Sequence, residues 1–228
     1  MNTPLANIII RLFQDGGPVM WPIALVLVIA VCVVFERVFW WLRATASRKP
    51  ADVEKCFAAI EAGDLEAAEK IASGKSDPIL RMVHEGLSHR DAAFHGALQS
   101  AASRELRSGA RFLTALDTIV TIAPLLGLLG TVTGIMASFM AMGGVELEIE
   151  KVTGGISEAL ITTAFGLAIA IVTLVPYNWC NSKLTRLQQD LEFAANSLEV
   201  MLAARGWRVG SVPAAVATGE PIAPSHRA

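Results

Sequence analysis

Four oxygen-bearing side chains stand inside stretches that are otherwise apolar: Thr131 in one, and Glu158, Thr162 and Thr163 in another. Glu158 carries the most chemistry. An ionised carboxylate surrounded by hydrocarbon costs a few kcal/mol on insertion scales and more when isolated. Glu158 must therefore be protonated, paired or turned towards water, and a carboxyl balanced among those states can take up and release protons. Thr162, one helical turn further on, is within reach of that carboxyl. A structural role for Glu158 at the mouth of a lumen is the competing reading. A second carboxylate, Asp117, lies a turn or two after Arg111, and a plain interfacial ion pair suits those two. One spanning carboxylate without a second titratable group at the same depth is an incomplete proton relay, so a partner must supply the rest.

Small residues surround these groups. At 100° per residue, Ala123, Gly127, Thr131, Gly134, Ser138 and Ala141 share one side of a helix, while Leu125, Leu129, Ile135, Phe139 and Met140 take the other. The later stretch repeats the pattern: Gly155, Ala159, Thr163, Gly166, Ala170 and Thr173 share a side with Thr162 at its edge, and Glu158 falls off the centre of that side. Two readings stay open. Small faces let membrane helices pack closely, and Gly130 with Gly134 has the GxxxG form. The same faces can line a path for a small ion or bear on another protein's helix.

These groups need membrane helices to position them. Three apolar runs are long enough: 19–42, 112–142 and 152–179. Trp21 and Trp40–Trp41 bracket the first as interfacial anchors do, with Glu36 and Arg37 near its far end. Arg43, Arg48 and Lys49 follow the first run, Arg104, Arg107 and Arg111 precede the second, and Lys183 and Arg186 follow the third. The positive-inside rule then puts the N-terminus outside and the C-terminus in the cytoplasm. Residues 1–18 form a periplasmic segment with a short interfacial helix over 5–14 ended by Gly16-Gly17-Pro18, and no cleavable signal is apparent there. A cytoplasmic helical domain spans 43–111, opened in pieces by Asp64, Asp77 and Asp91; its last helix, 92–111, can run straight into the second span. A periplasmic loop covers 143–151, a cytoplasmic helix 180–205 and a disordered Pro- and Ala-rich tail 206–228. The fold class is an all-α integral membrane protein.

Composition agrees. The 228 residues are 53% hydrophobic with a mean hydropathy of +0.49, high for a soluble domain. A net charge of −2 gives no basic field for nucleic acid. Cys32, Cys56 and Cys180 are too far apart for redox or metal pairing, and His84, His89 and His95 share no compact face with a carboxylate. There is no phosphate-binding loop and no nucleophile beside a base, so neither an enzyme nor a cofactor is expected.

The segment APLLGLLGTVTGIMASF, followed by ISEALITTAFGLAIAI and then Tyr177-Asn178, resembles the MotA/TolQ/ExbB proton channel family. Three spans with the N-terminus outside look like its ExbB/TolQ branch. Val172 stands where the family often has Pro, with Pro176 one turn later, and Thr133 replaces a Trp of close relatives. The resemblance implies a ring of five subunits in the bacterial inner membrane around a dimer of a single-span ExbD- or TolR-like partner whose membrane Asp carries protons. Proton motive force would then drive mechanical work at the outer membrane, with TonB-dependent transport the expected load and a TonB- or TolA-like protein a further partner. By motif position, Thr131, Glu158 and Thr163, with Thr162 beside them, line the proton pathway. Gly127, Gly130, Gly134, Ser138, Ala159, Gly166 and Ala170 are the packing or partner-facing residues. A non-conducting scaffold whose small faces only pack helices is the alternative.

Overall fold

The computed structural model describes residues 13, 15–89, 94–142 and 149–206, and every regular element among them is a helix: α1 (Met20–Ala46), α2 (Pro50–Ala62), α3 (Leu65–Ala72), α4 (Pro78–Ser88), α5 (Phe94–Ala110), α6 (Leu113–Met142) and α7 (Ile149–Ala204). The interfacial helix expected over 5–14, the cap Asp91, most of the 143–151 loop and the tail after Gly206 fall largely or wholly outside the described residues. The chain forms two compact units, Met1–Leu42 with Ala110–Lys183, and Arg43–Gly109 with Leu184–Ala228. The unbroken α7 contributes to both.

The first unit holds three helices long and apolar enough to cross a membrane. Its core forms where α1 brings Met20, Ile23 and Ala30 against Ile119 and Ala123 of α6 and Ile169 and Ala170 of α7. The bulky residues point the other way: Phe35 and Phe39 of α1, Phe139 and Met140 of α6, and Leu160, Val172 and Val175 of α7 are all exposed. Apolar surface on that scale is what a lipid or neighbouring-subunit environment requires. Pro22 falls in the first turn of α1, where a missing N–H is tolerated, whereas Pro124 and Pro176 sit inside α6 and α7 and each leaves one carbonyl without its helical donor.

The helix before the second span does not run straight into it. A turn at Arg111–Phe112 separates α5 from α6, with Phe112 in the left-handed region at φ 60°. That conformation costs a bulky residue about 1–2 kcal/mol. Two guanidiniums offset the cost: Arg37 lies 5.7 Å and Arg111 4.7 Å from the Phe112 ring centroid.

The second unit is built on capping. Gly63 closes α2 at φ 87°, a conformation that favours glycine, and the Asp64 carboxylate accepts from Ala67 N at 3.0 Å to open α3. Asp77 accepts from Ile79 N at 2.9 Å to open α4, and also from Lys49 N at 3.2 Å. Asp77 is buried, so Asp77→Ala strands two main-chain donors and should lower stability by about 1–2 kcal/mol, read from thermal unfolding of the full chain in detergent. The C-terminal part of α7 supplies Leu187, Leu191, Leu198 and Leu202 to this unit's core, spaced as one helix stripe. Polar contacts flank the stripe: an Arg48–Asp190 ion pair at 2.6 Å and a His95–Glu199 hydrogen bond at 2.7 Å.

Cys56 belongs to the same core, its sulfur facing the Ala68 carbonyl. Burial pushes its thiol up to about 11, so roughly one molecule in a thousand is thiolate there at pH 8. Alkylation by a charged, water-soluble maleimide at that pH should reach Cys56 only after denaturation, as peptide mass spectrometry would read.

Candidate functional site

The second and third spans meet along their glycines. A Cβ placed on Gly134 would lie 2.6 Å from the Gly155 carbonyl and 3.0 Å from the Ala159 Cβ. One on Gly127 would lie 3.0 Å from the Thr163 Cα, and one on Gly166 2.5 Å from the Ala123 carbonyl. Gly130 faces the Thr162 side chain with no room for a methyl between them. The two backbones are thus in direct contact, the arrangement small residues permit in membranes. Gly127, Gly130, Gly134, Ser138, Ala159, Gly166 and Ala170 are all buried in the single chain. The small side of α6 therefore faces the small side of α7, and the seven residues assigned to packing or to a partner lie within one protomer's own interior.

The hydroxyls divide along this seam. Ser138 Oγ lies 3.0 Å from both the Gly134 and Val152 carbonyls, tying α6 to the start of α7. Thr162 is fully buried, and its hydroxyl lies 3.0 Å from the main-chain carbonyls of Glu158 and of Ala159. It thus serves its own helix backbone rather than the Glu158 carboxyl that sequence spacing suggested. Back-bonding of this kind is common for Thr in membrane helices.

Thr131 and Thr163 come together. Their hydroxyls are hydrogen-bonded to each other across the seam, and either oxygen can be the donor. Thr163 Oγ1 also lies 3.0 Å from the Gly127 carbonyl and 3.1 Å from the Ala159 carbonyl, and Thr131 Oγ1 lies 3.2 Å from the Gly127 carbonyl. Of the two hydroxyl protons, one joins the pair and the other serves the Gly127 or the Ala159 carbonyl. The pair can exchange donor and acceptor roles without moving a heavy atom, as a polar relay must. Both residues are half-buried, at the edge of the seam rather than in its middle.

Glu158 stands apart from that pair. Its half-buried carboxyl reaches the turn that opens α1, where a Cβ on Gly17 would overlap one carboxylate oxygen and lie 2.9 Å from the other. This accounts for its offset on the helical wheel: the side chain is directed at the first span. Gly17 was legible only as a helix breaker in Gly16-Gly17-Pro18, and a glycine pair ahead of a span was the one available signal of close approach.

At the other end of the unit, Arg111 and Asp117 each have another neighbour. The Arg111 guanidinium stacks on Phe112, and the Asp117 carboxylate lies near the Tyr177 hydroxyl. Arg37, missed as a site residue, is buried there. It donates to both Glu36 carboxylate oxygens, at 2.5 and 2.8 Å, and lies 5.1 Å from the Trp40 ring centroid.

Residues 75–193, which include the whole seam, match the model of the MotA/TolQ/ExbB proton channel family. Two ExbB-like biopolymer transport proteins of Synechocystis sp. are similar to this chain. One is 38% identical over 70% of this chain and 79% of its own length, the other 36% identical over 83% and 76%. The Tol-Pal system protein TolQ of Haemophilus influenzae is 39% identical over 41% of this chain and 42% of its own.

Proposed function

The chain belongs to the MotA/TolQ/ExbB proton channel family, and from that premise we propose that it is the proton-channel subunit of an ExbB–ExbD or TolQ–TolR type complex, coupling proton motive force to work at the outer membrane. In this reading it is a multi-pass inner-membrane protein, N-terminus in the periplasm and C-terminus in the cytoplasm, that assembles as a pentamer around a single-span partner dimer bearing a membrane Asp. TonB-dependent transport is the proposed load, delivered through a TonB- or TolA-like protein.

The observation that supports this reading best is the Thr131–Thr163 hydroxyl pair at the edge of the glycine seam. Because the seam's interior is closed by its own packing, a proton path has to run along this edge, between the chain and a neighbouring helix. Glu158 would exchange protons at the end of that path. The roles are those of carriers and relays, and no step makes or breaks a bond other than to hydrogen.

Purified complex with its single-span partner, reconstituted in liposomes holding a pH-sensitive dye, tests this. Thr163→Val and Glu158→Ala are expected to lower proton influx roughly tenfold, equivalent to about 1.4 kcal/mol on a barrier, with subunit stoichiometry kept. Influx equal to the parent in both variants would favour the second reading, a non-conducting scaffold. The bonding of Ser138 and Thr162 to main-chain carbonyls suits that reading, since neither hydroxyl needs a mobile proton.

A further inference from the structure

The seat of the Glu158 carboxyl is specified by another residue. Gly17 lies in the turn 16–19 ahead of α1 and holds φ at 65°, in the left-handed region. Its missing side chain is space that the Glu158 carboxylate fills: a Cβ there would overlap one oxygen, and 2.9 Å separates it from the second. Two properties of glycine are thus used at one position. One is its tolerance of positive φ; the other is the bare Cα against which a carboxyl can lie. The contact joins the turn before α1 to α7 across about 140 residues of sequence, so helix propensity and span hydrophobicity on α7 do not determine it.

We propose that Gly17 is the positioning residue of Glu158: the bare backbone of the turn before the first span is the seat in which the carboxyl rests, apart from the Thr131–Thr163 pair. The functional weight of the seat rests on the reading of Glu158 as a proton carrier, but its existence does not. A residue larger than glycine at position 17 evicts the carboxyl towards lipid or towards the seam. The acid then meets different surroundings, while α7 itself is unchanged.

A double-variant cycle on the full chain in detergent, read by thermal unfolding, tests the seat. Gly17→Ala should lower the midpoint through both backbone strain and collision with Glu158. In a Glu158→Ala background only the strain remains, and the loss should be measurably smaller. An equal loss in both backgrounds overturns the proposal. Should Gly17→Ala alone fail to accumulate in membranes, recovery of Gly17→Ala/Glu158→Ala supports the seat, and equal failure of both overturns it. The infrared carboxyl band assigned by its loss in Glu158→Gln should shift in Gly17→Ala, which a merely structural turn would not cause; an unshifted band overturns the positioning role. Coupling in the cycle together with unaltered proton influx in Glu158→Ala would keep the seat and dismiss the proton-carrier reading, so the two fail separately.

Discussion

Gly155→Leu should break the membrane unit, while Gly154→Leu, one residue earlier, should unfold at a midpoint no lower than the parent. A Cβ on Gly155 would lie 2.7 Å from the Gly134 carbonyl and would collide with Ser138 Oγ, whereas one on Gly154 meets nothing within 4 Å. Gly155 is therefore pressed against backbone, which cannot rotate away as a side chain can. Overpacking usually costs about 1–3 kcal/mol, and here the cost is about 3 kcal/mol or more because the helices must part along the seam. Parting them also separates Ser138 from the Val152 carbonyl and Thr163 from the Gly127 carbonyl. At Gly154 the open surface leaves only the helix-propensity gain of replacing glycine, about 0.8 kcal/mol at most. Unfolding midpoints of the two variants in one detergent make the comparison. Equal behaviour would mean that the small faces of α6 and α7 do not meet within one chain.

Why some of this was legible in sequence follows from the reach of each interaction. The placement of Thr131 and of Thr163 on the small sides follows from two local periodicities, because each helix alone puts its Thr there. The same reasoning left open whether those sides face a lumen or each other, since spacing is identical in both cases; the glycine contacts decide it for the single chain. Thr162 was misjudged at short range. Its neighbour one turn back offers both a carboxyl and a main-chain carbonyl, and the carbonyl has the fixed geometry. The Gly17–Glu158 contact and the left-handed Phe112 were beyond local reasoning, since the first depends on α1 packing against α7 and the second on Arg37 arriving from another helix. The caps at Asp64 and Asp77 were legible because a cap is set by residues within one turn.

Arg37→Met is expected to cost about 2–3 kcal/mol, and Glu36→Gln added to it should return roughly half of that loss. Arg37 is 1% exposed and its partner Glu36 42% exposed, so removing the arginine strips a bidentate partner from a carboxylate that the chain itself only partly encloses. That partial enclosure holds the cost below the 3–5 kcal/mol typical of a fully buried pair broken on one side. Part of the loss is not electrostatic: the guanidinium also lies over Trp40 and Phe112, at 5.1 and 5.7 Å, and steadies the left-handed turn before α6. Met keeps the apolar stem and fills most of the volume, so the variant isolates charge and ring contacts from packing. With Gln at position 36 no carboxylate is left unpaired, and a buried pair replaced on both sides is often close to neutral. The remaining deficit in the double variant is then the share of the two ring contacts, about 0.5–1 kcal/mol each at exposed rings. Unfolding midpoints for the two single variants and the double variant give all three quantities. A double variant no more stable than Arg37→Met would show that Arg37 acts through Trp40 and Phe112 rather than through Glu36.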